Sequence, residues 1–211
     1  SGSVAVATGA FALNYSGEWI DAIKQWEFLL DVELRGPLYA RNFYGLGNET
    51  INNEEEFGAD YHRVRHRMYS AYPAFKKKFA GEAGGFSIGP LLELSEIKRT
   101  EGRFIDEIGD VFDPEVFNNQ TFVGGRMMFN YLNLDNLNLP NRGIDFKTAL
   151  SYRVNTGGNT NNFPSIDADL AIYQNIGNPG RLTLATRLGV QHNFTDDFEF
   201  YQAATLGGVG A

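Results

Sequence analysis

The sequence predicts an all-β chain: an antiparallel transmembrane β-barrel domain of which about eight strands are present. Three observations carry this. Runs of about ten residues alternate apolar and polar side chains, the length and period with which a strand crosses a bilayer. The connections between those runs alternate between short and long. No run approaches the roughly 18 apolar residues of a helical span, although 14% of the 211 residues are aromatic and 24 are glycine.

Taken in order, residues 4–15 are apolar on both parities, with small side chains throughout. Over 26–35 one face carries Trp26, Phe28, Leu30, Val32 and Leu34, and the other Glu27, Leu29, Asp31, Glu33 and Arg35. Residues 60–72 group Tyr61, Arg63, Arg65, Arg67 and Tyr69 opposite His62, Val64, His66 and Met68. Residues 86–98 set Phe86, Ile88, Leu92 and Leu94 against Ser87, Gly89, Glu93 and Ser95, with Pro90 as a local irregularity. Over 121–133, Val123, Met127, Phe129 and Tyr131 oppose Arg126 and Asn130. The last three runs are clean. Ile144, Phe146, Leu150 and Val154 oppose Asp145, Lys147 and Arg153; Ile166, Leu170 and Ile172 oppose Asp167 and Asp169; Leu182, Leu184, Leu188 and Val190 oppose Arg187 and Gln191. Because successive strand side chains point to opposite faces, each run has one lipid-compatible row and one polar row.

Residues 16–23, 73–84, 134–142 and 175–180 read as the shorter turns, and 36–59, 100–119, 155–164 and the tail from Phe194 as the external loops. The external loops hold acids such as Glu54, Glu55, Glu56, Asp106, Glu107, Asp110, Asp113 and Glu115, whereas the 73–84 turn carries Lys76, Lys77 and Lys78. A soluble sandwich also has alternating strands, but strands of ten or more residues are long for one.

The composition excludes some functions. A net charge of −8 and a pI near 4.9 argue against nucleic acid as a partner, since phosphate contacts need a basic face. Absence of cysteine fits an envelope protein but decides little. Nothing at Ser1 reads as a signal peptide, and the expectation is a piece of a longer chain.

Candidate functional residues lie on the polar parity, which faces the lumen of a barrel. They are Glu27, Asp31, Glu33, Arg63, Arg65, Arg67, Arg126, Lys147, Arg153, Asp167, Asp169 and Arg187. The acids of 26–35 are expected to pair with Arg63, Arg65 and Arg67 of the next strand in a bracing salt-bridge ladder; a charged lining for a conduit is the alternative. His62 and His66 lie roughly 13 Å apart on a strand, too far to share a zinc ion. Asp167-Ala168-Asp169 lacks a histidine or partner acid, the loop acids match no calcium-loop spacing, and no helix follows Gly207-Gly208 to cradle a phosphate. Neither a catalytic site, a metal site nor a cofactor is expected.

The succession Asn136-Leu137-Asn138-Leu139-Pro140-Asn141-Arg142-Gly143, then strand, loop, strand, turn, strand, then Phe200-Tyr201-Gln202-Ala203-Ala204-Thr205-Leu206-Gly207-Gly208, resembles the BamA/TamA-type barrel of the bacterial surface antigen family. In that family a Pro-Thr-x-Gly-like turn opens the ninth of roughly sixteen strands, and a Gly-Gly stretch enters a long external loop just before an Arg-Gly-Phe/Tyr motif. Pro140, Gly143, Gly207 and Gly208 match motif positions, with Asn141 in place of the threonine. The segment from Arg41 to Thr50 looks like a loop found in members that include phosphoesterase-fused barrels. The resemblance implies that residues 1–211 are a partial outer-membrane β-barrel domain, ending in the long loop before the Arg-Gly motif and lacking the soluble POTRA repeats. It implies a non-enzymatic protein of the Gram-negative outer membrane that helps insert or translocate proteins. Its partners would be outer-membrane lipids, the rest of its own barrel, client outer-membrane proteins and assembly-complex subunits. The alternatives are the membrane anchor of a periplasmic metallophosphoesterase, or a generic porin or adhesin.

Overall fold

The computed structural model describes residues 2–5, 9–36, 40–45, 54–157, 162–177, 182–196 and 199–203. They form one antiparallel sheet of ten strands: β1 (Gly2–Ala5), β2 (Ala10–Ile23), β3 (Trp26–Gly36), β4 (Ala40–Asn42), β5 (Arg63–Phe79), β6 (Gly84–Lys98), β7 (Gln120–Leu134), β8 (Gly143–Asn155), β9 (Asn162–Asn175) and β10 (Thr183–Asn193). Every long strand pairs with its sequence neighbour, except that β3 passes over the short β4 to pair with β5. The sheet is open, with β1 and β10 at its edges. Among the described residues helix is confined to single turns: α1 (Glu54–Phe57), α2 (Phe104–Glu107) and three 3₁₀ segments.

The strand count exceeds the expected eight for two reasons. Residues 4–15 are not one strand but parts of a hairpin, in which Gly2–Ala5 runs antiparallel to Ala10–Leu13. The loop over 36–59 contributes β4, which extends the ladder along the upper end of β5. Two expected turns are also strand. β2 continues through residues 16–23, and the chain reverses only at Lys24 and Gln25, both at positive φ (42° and 71°), as a two-residue hairpin turn requires. β5 continues to Phe79 and reverses over 80–83, so Lys76, Lys77 and Lys78 are strand residues rather than turn residues. In both cases charge on the inner row mimics a loop, because the alternation there is polar against aromatic. Strands β6, β7 and β8 match the expected runs closely.

Register fixes the faces. Glu33 lies opposite Ser70, Ser70 opposite Glu93, Glu93 opposite Phe122 and Phe122 opposite Asn155. Arg126 lies opposite Ser151, Ser151 opposite Ser165 and Ser165 opposite Asn193. This polar row is the inner face. On the outer face Val32, Ala71, Leu92, Val123 and Val154 form one transverse row, and Leu170 lies opposite Leu188. That face stands open: Leu92 and Leu94 are each 47% exposed, and Leu188 and Val190 each 60%. Near the tight-turn end it carries a belt of rings, with Trp19 against Phe28 (5.4 Å), Phe28 against Phe75 (5.9 Å), Phe79 against Phe129 (5.6 Å) and Phe129 against Phe146 (5.9 Å). An apolar band bounded by aromatic rings is the surface a strand wall presents to lipid.

Candidate functional site

The inner face is where chemistry could reside, and it has two parts. At mid-height a concavity of about 430 Å³ opens between Asn14, Asp31, Glu33, Tyr72, Leu91 and Arg126, contributed by five strands from β2 to β7. Its walls are tied together by polar contacts across strands. Ser16 donates to Asp31 at 2.6 Å, Tyr72 Oη donates to the Arg126 carbonyl at 3.1 Å, and Arg126 Nε donates to Ser151 Oγ at 3.0 Å. Arg153 crosses β7 to meet Glu93 at 3.3 Å and also donates to Ser165 at 3.0 Å. The intervening strand presents Gly124 opposite Arg153, so no side chain blocks that reach. The Arg153–Glu93 pair is mostly shielded, with side chains 15% and 12% exposed, whereas Arg187–Asp169 (2.7 Å) and Lys147–Asp145 (3.1 Å) are more open. Toward the turns, Lys76 and Lys78 hold Glu18 at 3.0 and 3.2 Å, and Lys78 reaches Glu27 at 2.8 Å.

At the loop end the inner face turns apolar. Val64, Ile97 and Ile105 are buried together, with Phe43, Phe112, Phe117, Phe200 and Tyr201 packed on them. The segment 199–203 returns beyond β10 to lie here: Phe200 packs at a tilt against Phe43 at 4.6 Å and Phe112 at 4.8 Å, and Tyr201 meets His66 at 5.1 Å. His66 Nε2 lies 2.7 Å from Ser95 Oγ. Asn193 donates to the Gln202 carbonyl at 3.1 Å and fixes the return. The long loop over 99–119 is held from the rim: Arg99 grips Asp106 (2.7 Å) and Asp110 (3.0 Å), and Arg103 donates to the Arg63 carbonyl at 2.8 Å. Tyr61 donates to Glu107 at 2.7 Å; burial, reinforced by that carboxylate, pushes its phenol up to about 12. Burial likewise raises the pKa of Tyr201. Asp106 and Asp110 are thus ion-pair partners of Arg99, and Asp113 is a cap, accepting from the Glu115 amide at 2.9 Å.

Of the residues singled out from the sequence, Glu27, Asp31, Glu33, Arg126, Lys147, Arg153, Asp167, Asp169 and Arg187 share the inner face. Arg63, Arg65 and Arg67 do not. Arg67 lies opposite Glu96 and Arg65 opposite Lys98, on the row that continues into Tyr69 and Leu94. The expected ladder between the β3 acids and these arginines is therefore corrected. Glu33 pairs instead with Arg35 on its own strand, Glu27 with Lys78, and Arg67 with Glu96 on the outer face. The contributions of Glu18, Tyr72, Lys76 and Lys78 went unread in the sequence, where their parity within β2 and β5 was the available signal; Glu93 was placed on the polar parity of its run but not among the candidate residues.

The turn before β8 is tightly constrained. Asp135 accepts from the amides of Asn141 (2.9 Å) and Arg142 (3.0 Å), which lowers its pKa below the ordinary aspartate value. Thr183 donates to Asn141 Oδ1 at 2.8 Å, binding this turn to the start of β10. Gly143 has φ +133°, and a Cβ there would sit 2.1 Å from the Asn133 carbonyl oxygen. Pro140 precedes it on the partly covered side of the turn. Gly207 and Gly208 lie outside the described residues.

His62 sits apart from His66, in an aromatic setting of Tyr44 (4.8 Å), Tyr61 (4.9 Å) and Phe104 (5.0 Å). Among the described residues no group of three or more His, Asp or Glu side chains could hold a metal ion, and no helix is long and apolar enough to cross a membrane. The latter says nothing of strands.

A ladder of long antiparallel strands, apolar and ringed outside and charged inside, defines the class: the wall of an outer-membrane β-barrel. The Omp85 superfamily domain matches residues 11–211, and the chain belongs to the Omp85 superfamily, whose barrels serve assembly and translocation at the outer membrane. Comparison with curated proteins and with solved structures gave no match.

Proposed function

We propose that this chain forms part of a BamA/TamA-like barrel of the Gram-negative outer membrane that helps insert or translocate proteins. The observation that carries the reading is the segregation of the two faces within the Omp85 match: an apolar outer row against a cross-braced charged inner row. In this reading the polar concavity is the lumen, the outer row meets lipid, and the inner charges brace the wall. The Phe200–Tyr201 return narrows the external mouth. Backbone groups at an open sheet edge go unsatisfied in hydrocarbon. The edges at β1 and β10 would therefore be closed by further strands of the same barrel. Such a protein works by strand pairing and local bilayer disturbance rather than covalent chemistry, and needs no cofactor.

The test is reconstitution of the full-length protein in liposomes, followed by addition of a urea-denatured client barrel protein. Faster folding of the client than in protein-free vesicles, read by heat-modifiable gel mobility, is the expected result. An unchanged client rate together with phosphomonoester hydrolysis would replace this reading with that of an enzyme's anchor. An unchanged rate with ion conductance alone would replace it with that of a porin.

A further inference from the structure

The arginines displaced from the lumen occupy a position of their own. On the outer face of β5 and β6 the apolar row ends at Tyr69 and Leu94, which lie opposite each other. One step toward the loops Arg67 lies opposite Glu96, and one step further Arg65 lies opposite Lys98. The lower pair neutralises itself, with the Arg67 guanidinium also 6.0 Å from the Tyr69 ring. Arg63, above them, is matched by Asp60 at 2.6 Å. Arg65 and Lys98 have no acidic partner among the described residues.

Two like charges directly opposite on adjacent strands destabilise a ladder. They are tolerated where an anion lies between them, and guanidinium and ammonium groups together recognise phosphate oxygens, the first in a bidentate fork and the second as a point charge. Their height selects the source of that phosphate. Lys98 is four residues beyond Leu94, about 13 Å along the strand at roughly 3.3 Å per residue and less along the normal of a tilted strand. Long basic side chains snorkel several ångströms from such a position into the headgroup layer. The long loops lie at this end, so the layer is the outer leaflet.

We propose that Arg65 and Lys98 form an outward-facing binding site for the phosphate groups of outer-leaflet lipids. The proposal rests on the membrane reading of the apolar face and is independent of what passes through the lumen.

The experiment uses the full-length protein in nanodiscs containing equal amounts of a phosphorylated lipid A and its dephosphorylated counterpart in a zwitterionic filler. Native mass spectrometry then reads which lipid stays bound after release. Preferential retention of the phosphorylated form is expected. Arg65→Gln with Lys98→Gln should cut it by about fivefold per charge, roughly 30-fold for the pair. Glu96→Gln, which frees Arg67, should strengthen retention. Equal retention of the two lipids overturns the proposal, as does an unchanged double variant whose gel mobility shows it folded. Displacement by millimolar inorganic phosphate would also overturn it, assigning the site to free anion. Failure of the protein to enter the nanodiscs at all would overturn the membrane reading itself.

Discussion

Two sets of arginines in this sheet read alike in sequence and behave oppositely in the fold. Arg126, Arg153 and Arg187 lie on the inner face of β7, β8 and β10 and are bonded across strands to Ser151, Glu93 and Asp169. Arg63, Arg65 and Arg67 lie on the outer face of β5, above the last apolar residues. The difference shows that the rule "polar parity faces the lumen" is a statement about height as well as parity. Within the hydrocarbon layer the outer row must be apolar, so charge is forced inward. Beyond it the outer row is wet and admits charge, while the inner row becomes apolar if loops fill the mouth. Both happen at the loop end of β5, where Val64 is buried inside and Arg65 faces out.

The largest test of that comparison is to place a cation on the outer face inside the band. Leu170→Arg is expected to lower barrel stability by about 2–4 kcal/mol near the midplane. Urea titration in vesicles, with folding followed by tryptophan emission, gives the value. Asp169→Asn, one residue away on the inner face, removes half of an open ion pair with Arg187 and should cost no more than about 1 kcal/mol. Equal losses would mean that the faces have been assigned the wrong way round.

Gly143 sharpens the same point through register. It opens β8 opposite Leu134 and Tyr173, and so decides which face each later residue of that strand takes. Gly143→Ala meets both a positive φ and the Asn133 carbonyl, and a loss of about 1–3 kcal/mol is expected in the same titration. An unperturbed variant would show that the turn relaxes freely and that register is set elsewhere.

The two arginine sets can then be compared directly. Arg153→Met leaves Glu93 shielded without its cation and should cost about 1–3 kcal/mol. Arg65→Gln removes an outward charge facing Lys98 and should change stability by no more than about 0.5 kcal/mol in either direction. A larger loss at Arg65 than at Arg153 would reverse the contrast.

How much of this was legible depended on which physical constraint acted locally. Runs 86–98, 121–133 and 143–154 were readable to within a residue or two because lipid on one side and polar neighbours on the other enforce strict alternation. β2 and β5 were cut short because Glu18, Lys76 and Lys78 satisfy one another across β3, and an ion-paired inner row looks like a turn when each strand is read alone. The constrained Pro140–Gly143 turn was visible through its motif, but its anchor, Asp135, was not: an aspartate accepting two amides carries no signature beyond its proximity. The loop-end cluster of Phe43, Ile105 and Phe200 was invisible because it assembles residues from three separate segments outside the strands.

The smallest effect concerns that anchor. Asp135 Oδ1 accepts the amides of Asn141 and Arg142 more strongly as a carboxylate than as a neutral acid, and those bonds hold its pKa below the ordinary aspartate value. A depressed folded-state pKa gives stabilisation that is fully present above the unfolded value and is lost as pH falls through the folded one. Protection of the Asn141 and Arg142 amides in hydrogen exchange should therefore be flat from neutral pH down to the ordinary aspartate range and fall below it. Asp135→Asn, which keeps an acceptor but no charge, should show reduced protection at neutral pH and no acid step at these two amides. Protection that falls identically in both proteins would place the titrating group elsewhere, and would leave Gly143 rather than Asp135 as the residue that fixes where β8 begins.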